Sequence, residues 1–229
     1  MKIKPGPDPN FPYLDAYIDF QFPAPDEWTD DIISVGGNLS PGILLSGYEQ
    51  GIFPWYGPDD PIIWQSPNPR CVIFPDKLHV SSSMKKVLNK KIFDISFDED
   101  FIGVINGCAE KVRPGQNGTW ITKDIIEAYT ELHHLGWAHS AEAWFEGELA
   151  GGCYGVLLGR VFCGESMFAK KPNASKAAFL SLAKTMFEHG VAFIDCQVPN
   201  PYLLSLGAEP VARNDFLKLL KKFPSSRYK

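Results

Sequence analysis

Residues 139–168 contain three runs rich in β-forming residues: HSAEAWF (139–145), LAGGCYGVLL (149–158) and RVFCGESMF (160–168). Only EGE (146–148) and Gly159 separate them. Separators this short close hairpins, so the three runs predict an antiparallel meander. Upstream, Thr122 caps a helix that runs through His134, with Gly136 after it. Downstream, Asn173 caps a helix that places Ala178, Phe179, Leu182, Ala183 and Met186 on one face and stops at Gly190. VAFIDCQV (191–198) reads as a strand, and a last helix begins near Asn214 with Phe216, Leu217 and Leu220. Helix, meander, helix, strand, helix is an α+β order rather than an alternation of βαβ units.

The text ahead of this block differs in character. Thirteen of the 19 prolines lie at or before position 75, which disfavours long regular elements there. One helix stands out, with Ser40 as N-cap, Pro41 at N1, an apolar side of Ile43, Leu44, Leu45 and Tyr48, and Gly51 as its end. From Arg70 onward CVIF (71–74) reads as a strand, SSMKKVLNKK (82–91) as a short helix and DEDFIGVINGCAE (98–110) as another. These shifts put the boundary of a small N-terminal domain at residue 69, packed on a mixed-sheet domain over 70–229.

Composition limits the function classes. The 229 residues are 45% hydrophobic and 21% charged, which is ordinary for a globular protein. No apolar run approaches the roughly 18 residues of a membrane span, and MKIKPGPDPNFPYLDAYIDF lacks the apolar core of a signal peptide. The expectation is a soluble, unprocessed chain. Five cysteines, Cys71, Cys108, Cys153, Cys163 and Cys196, show no CxxC spacing and fit free thiols in a reducing cytoplasm. The five histidines show no ligand spacing, so a metal site has no support. A net charge of −5 argues against a protein that coats nucleic acid with a general positive field. It leaves room for a local patch, and 82–91 supplies one: Lys86 and Lys90 share a face, Lys85 and Lys91 flank it, and Met84, Val87 and Leu88 form the packing side. Such a face is either merely solvated or a contact for a phosphate backbone. Lys218, Lys221, Lys222, Arg227 and Lys229 are candidate company for it.

On the strand FIDCQ (193–197), a period of two puts Asp195 and Gln197 on one face and Cys196 on the other. A carboxylate and an amide projecting together suit acyl transfer, since they can hold an amine and orient a carbonyl. The bland alternative is a capping Asp195 and a Gln197 bonded to backbone, and Cys196 reads as core rather than nucleophile. In FCGESMF (162–168), Cys163, Glu165 and Met167 share a face, and Glu165 is either paired structurally or turned to a cleft. Trp55, Trp64 and Trp120 sit beside loop residues, where they stack on a base or cover the domain junction.

Taken in order, GGNLSP, GIFPWY, PIIWQSPNPR, CAE, GTWI, AYTELHHLG, AHSAEAW, GGCYGV, GESMF, NASKAAF, DCQ and SLGA, spread from about Phe20 to Phe216, resemble the bacterial leucyl/phenylalanyl-tRNA-protein transferases. The resemblance implies a small N-terminal domain on a GNAT-like C-terminal domain. It also implies transfer of Leu, Phe or Met from aminoacyl-tRNA to proteins that begin with Arg or Lys, marking them for N-end rule degradation. Carried over by motif, it makes Asp195 and Gln197 the acyl-transfer residues, with Glu165 helping to bind the acceptor amine. It places Trp55 and Trp120 near the terminal adenosine, and Cys153, Phe162, Met167, Phe179, Leu182 and Ile194 around the amino-acid side chain. Lys85, Lys86, Lys90 and Lys91 then meet the tRNA backbone, and the implied enzyme is a cytoplasmic monomer with no membrane partner. Gln65, Asn38 and Asn68 depart from the family's usual Trp, Asp and Asp. Cys153 stands where Met is frequent and Ser82 where Arg is frequent, which bears on side-chain preference and tRNA affinity.

The implied reaction is aminolysis of an ester that is already activated, so it needs no ATP, metal or other cofactor. An α-amine with a pKa of about 7.7–8.0 is mostly protonated near neutral pH, so something must take its proton. The expectation is that Asp195 polarises Gln197 and holds the amine for attack, with the proton taken by one of these two or by a substrate group such as the ribose hydroxyl next to the ester. Two rivals remain. An acetyltransferase using acetyl-CoA needs a glycine-rich pyrophosphate loop before a helix, and MFAKKPNASK (167–176) has no glycine. A non-catalytic tRNA-binding module needs the basic helix but neither Asp195 nor Gln197.

Overall fold

The computed structural model describes residues 3–111, 119–225 and 227. Gly118 of the GTWI motif and Lys229 lie outside them. The proline-rich N-terminal part folds around one helix and a small sheet. Strand β1 (Ile32–Val35), helix α1 (Pro41–Glu49), and strands β2 (Phe53–Pro54) and β3 (Ile63–Gln65) follow one another, and the strands form a sheet in the order β1-β3-β2. Ser40 precedes α1 as expected, but its hydroxyl does not cap the helix. It accepts instead from the Leu14 N–H at 3.1 Å, tying the leading segment to the helix. Asn38 donates to the carbonyls of Phe11 and Pro12 and accepts from the Ser40 N–H, so it pins the same turn with both ends of its amide. An Asp here would lack the donor for the first two bonds.

The second sheet holds the seven remaining strands. They are β4 (Arg70–Ile73), β5 (Asp94–Phe97), β6 (Ala138–Phe145), β7 (Glu148–Leu158), β8 (Val161–Ala169), β9 (Phe193–Asp195) and β10 (Glu209–Val211), in the order β10-β4-β9-β8-β7-β6-β5. Between them run α2 (Ser82–Asn89), α3 (Phe101–Glu110), α4 (Lys123–His134), α5 (Ala174–Glu188), α6 (Pro201–Ser205) and α7 (Arg213–Lys221). Strands β6, β7 and β8 form the expected meander. Its first turn places Glu146 at φ +53° and Gly147 at φ +80°, the two left-handed residues that a tight hairpin needs. Strand β9 then lies parallel to β8 after the α5 crossover. This is the mixed sheet expected over 70–229.

Three details depart from expectation. Asn173 precedes α5 at φ +70° without a side-chain cap bond, so it acts by its left-handed backbone. The strand expected over 191–198 is confined to Phe193–Asp195. Strands β1, β2, β3, β5 and β10 and helix α6 are additional to those expected, each being short. The change of sheet falls between Gln65 and Arg70, yet one buried cluster crosses it, joining Phe22, Ile43, Leu44, Leu45 and Trp64 to Val72, Phe193 and Phe216. A second cluster, with Phe162, Phe179, Leu182 and Ile194, fills the space between the sheet, α2 and α5.

Candidate active site

The central cavity, of about 530 Å³, lies where α5, the meander and the small sheet meet. Trp55, Trp120, Cys153, Phe162, Met167, Phe179, Glu165 and Gln197 all line it. Strand β8 supplies much of the wall through an irregularity. Tyr154 pairs with Ser166 and Gly155 pairs with Gly164, so Glu165 is an extra residue without a partner across the ladder. Such a bulge re-aims side chains and resets the alternation. Gly164, Glu165, Ser166 and Met167 consequently all face the cavity, and the strict alternation that put Cys163 beside Glu165 does not hold. Gly155 permits the bulge: a Cβ there would stand 2.2 Å from the Cys163 carbonyl oxygen.

Two expected pocket residues do not reach the cavity. Leu182 and Ile194 are buried at 2% and 0% exposure in the core behind Phe162 and Phe179, and act as backing. Asp195 does not line it either. Its carboxylate accepts from Arg70 Nε at 2.8 Å and Nη2 at 2.6 Å, with both residues 1% exposed. Arg70 Nη1 donates to the Gly51 carbonyl at 3.0 Å, and the guanidinium lies between the Phe53 and Phe216 rings at 4.8 and 4.6 Å. In the sequence Arg70 marks only the start of a strand. Its partner lies 125 residues away, and no local pattern marks such a pair.

Gln197 reaches the cavity by leaving the strand. It sits at φ +55°, a left-handed conformation that costs a non-glycine residue roughly 1–2 kcal/mol and is held only by surrounding bonds. Its N–H donates to Asp195 Oδ1 at 3.0 Å, and its carbonyl accepts from the Cys71 N–H at 3.0 Å. Asp195 thus grips the backbone of Gln197 rather than its amide. The Gln197 amide donates from Nε2 to Glu165 Oε1 at 2.9 Å. Tyr129 donates to Glu165 Oε2 at 3.4 Å, and the Tyr129 and Tyr48 hydroxyls share a hydrogen bond. Burial pushes the Glu165 carboxyl up to about 7, a hydrogen bond from Tyr48 opposes this, and the Asp195 charge adds to the rise. Cys196 also lines the cavity. Burial raises its thiol well above the ordinary value, so it forms part of the wall and not a nucleophile.

Gln65, in place of a tryptophan, donates to the Trp55 carbonyl at 2.8 Å and fixes that loop. Lys111 and Lys176 also line the cavity, Lys111 donating to the Met167 carbonyl at 3.3 Å. Lys85, Lys86, Lys90 and Lys91 are exposed on α2 and its C-terminal turn, away from the cavity lining. Arg227 does not join them. It is buried, with bonds to Glu49, Asp19 and the Ala16 carbonyl.

The family described as leucyl/phenylalanyl-tRNA protein transferase matches residues 72–221, and its N-terminal domain matches residues 37–68. The chain belongs to this family. As a member of it, the chain is an aminoacyltransferase. A leucyl/phenylalanyl-tRNA–protein transferase of Hahella chejuensis is 49% identical over 93% of this chain and 91% of its own. Those of Maridesulfovibrio salexigens and Flavobacterium johnsoniae are 52% and 47% identical, covering 87% and 90% of this chain and 84% and 97% of theirs. No helix among the described residues is long and apolar enough to cross a membrane.

Proposed function

We propose that this transferase moves Leu, Phe or Met from the 3′ adenosine of aminoacyl-tRNA to the N-terminal α-amine of proteins beginning with Arg or Lys, in the cytoplasm and as a monomer, and so tags them for N-end rule degradation. The observation that carries this reading is the Glu165–Gln197 hydrogen bond, set in a cavity whose other wall is Cys153, Phe162, Met167 and Phe179. The apolar wall takes the amino-acid side chain. Trp55 and Trp120 offer aromatic faces for the adenine, and the polar pair faces the carbonyl and the attacking amine. An apolar pocket separates ligands that differ by one methylene by only about 1–3 kcal/mol, which is why several donors share it.

The roles then follow from position. Glu165 accepts the proton of the incoming ammonium, because its raised affinity for a proton matches an amine that must be deprotonated near neutral pH. Gln197 holds that carboxylate and orients the amine. Asp195 is a positioning residue that acts through the Gln197 backbone and is neutralised by Arg70. Lys85, Lys86, Lys90 and Lys91 meet the tRNA backbone as point charges. The test is incubation with radiolabelled Phe-tRNA and an Arg-initiated peptide. Label in the peptide is expected, whereas a tRNA shift without labelling, or acetylation from acetyl-CoA, would replace this reading with one of its rivals.

A further inference from the structure

A second cavity, of about 430 Å³, opens beyond α1, where Asp19, Tyr48, Glu49, Val161 and Cys163 line it. Phe162 and Gly164 line the first cavity while Val161 and Cys163 line this one, so the two open on opposite faces of β8. Hydrogen bonds join the two sides. Glu165 faces the first cavity and is hydrogen-bonded by Tyr129 and by Tyr48, the two hydroxyls are bonded to each other, and Tyr48 also lines the second cavity. Tyr48 and Tyr129 are both almost fully buried, at 2% and 0% exposure. A packed core has no structural need for two facing hydroxyls, since apolar residues of the same shape are often as stable.

Proton balance gives these bonds a task. The acceptor arrives as an ammonium, the new amide C–N bond forms, and the ester C–O bond breaks. Of the two protons its nitrogen loses, one goes to the leaving ribose oxygen and the other is released. With the aminoacyl end and the acceptor filling the first cavity, water is excluded from Glu165 on that side. We infer that Tyr129 and Tyr48 carry the released proton from Glu165 to the second cavity, which resets Glu165 between turnovers. This rests on the reading of Glu165 as proton acceptor. Each hydroxyl takes a proton on its oxygen as it passes its own onward, so neither phenol ionises.

The groups facing Glu165 fit such a relay. Tyr129 comes from α4, Tyr48 from α1, the Gln197 amide from beyond β9, the Asp195–Arg70 pair from β9 and β4, and Cys163 from its own strand, while Lys111 and Lys176 share its cavity. Burial holds both phenols and the Cys163 thiol well above their ordinary values, so none of the three titrates near neutral pH. At the far end, Asp19 and Glu49 keep the cavity polar although Arg227 engages both.

The experiment measures initial transfer rates for Tyr48→Phe, Tyr129→Phe and Glu165→Gln at pH 7 and pH 9 with an Arg-initiated peptide. At the higher pH an α-amine of pKa about 7.7–8.0 is already neutral and no proton need leave. Tyr48→Phe is expected to be slower by roughly tenfold at pH 7 and within about twofold of wild type at pH 9, with KM for Phe-tRNA unchanged, and Tyr129→Phe, which leaves Tyr48 bonded to Glu165, to show a smaller deficit with the same pH dependence. An equal deficit at both pH values in both variants would make the tyrosines merely structural and overturn the relay. Normal rates at pH 7 in the tyrosine variants, beside a defective Glu165→Gln, would overturn the relay alone. A normal Glu165→Gln would overturn the reading beneath it. The two tyrosine variants are read independently, each checked for a cooperative thermal transition.

Discussion

Replacing Asp195 by Asn separates scaffolding from chemistry. The substitution leaves the Arg70 guanidinium, 1% exposed, without its bidentate counter-charge. Removing one partner of a buried pair costs about 3–5 kcal/mol, because the other charge stays desolvated. That is a large share of the roughly 5–15 kcal/mol by which domains are stable. At about 2–4 °C per kcal/mol for a chain of this size, the melting temperature is expected to fall by roughly 10 °C. The double variant Arg70→Met with Asp195→Leu removes both charges, and apolar replacement of a buried pair is often neutral or stabilising, so its stability should return towards wild type. Transfer should not return with it, since the Gln197 N–H has lost the Oδ1 atom that holds its left-handed backbone. Because Asp195 does not line the cavity, the loss should fall on kcat and leave KM for aminoacyl-tRNA unchanged. Urea unfolding gives the first quantity, and steady-state transfer below the transition temperature gives the others. Wild-type stability in Asp195→Asn together with abolished transfer would refute the argument, since it would mean that the carboxylate acts in the chemistry and not through Arg70 and the backbone.

Glu165 has a raised folded-state pKa, so its contribution to stability is fully present below its unfolded value near 4.5 and is lost as pH rises towards about 7. Glu165→Gln should therefore raise stability above neutral pH, by roughly 3 kcal/mol at 1.36 kcal/mol per unit, and change little in acid, a difference that urea titrations at the two extremes will read. Cys153→Met narrows the pocket, so the ratio of Phe to Leu transfer should shift towards Leu, by roughly 10- to 200-fold for about 1–3 kcal/mol of discrimination, as measured by competition between the two charged tRNAs. Changing Lys85, Lys86, Lys90 and Lys91 to Ala should weaken tRNA binding and flatten its dependence on salt, by up to about 0.9 in slope for each duplex phosphate that is no longer neutralised. Gly155→Ala places a methyl 2.2 Å from the Cys163 carbonyl oxygen and 2.6 Å from the Phe162 ring, so it should cost on the order of 1–3 kcal/mol in urea unfolding and lower transfer by displacing Glu165.

How much of this is legible in the sequence depends on the range of the interaction concerned. The meander is readable because alternation and two-residue turns are local, and Glu146 with Gly147 is a turn whose geometry its own residues permit. The cap at Thr122 and the apolar faces of α2 and α5 are readable for the same reason. Period two fails at both places where the candidate site is built. In β8 it fails because a bulge is a two-against-one register between strands, and register belongs to the pair rather than to either strand. At Gln197 it fails because the strand has already ended at Asp195 and the backbone turns left-handed. The role of Arg70 is invisible in the sequence because it exists only once β4 lies beside β9.

These failures share a cause, and it bears on how the site works. A regular strand would have aimed Asp195 and Gln197 together into the cleft and left Glu165 to one side. The irregular backbone does the reverse. It sinks the Asp195 charge onto Arg70, where it fixes a loop, and brings Glu165 and the Gln197 amide together in the cavity. A carboxylate locked in a bidentate pair has both oxygens engaged by the guanidinium, and this one does not line the cavity. One held by an amide and a phenol in a partly desolvated wall is poised to take a proton. On the proposed reading, the departures from regular structure divide the work between two acids, giving position to Asp195 and proton transfer to Glu165. If disturbing the bulge by Gly155→Ala left transfer intact in a folded protein, that division of labour would be wrong.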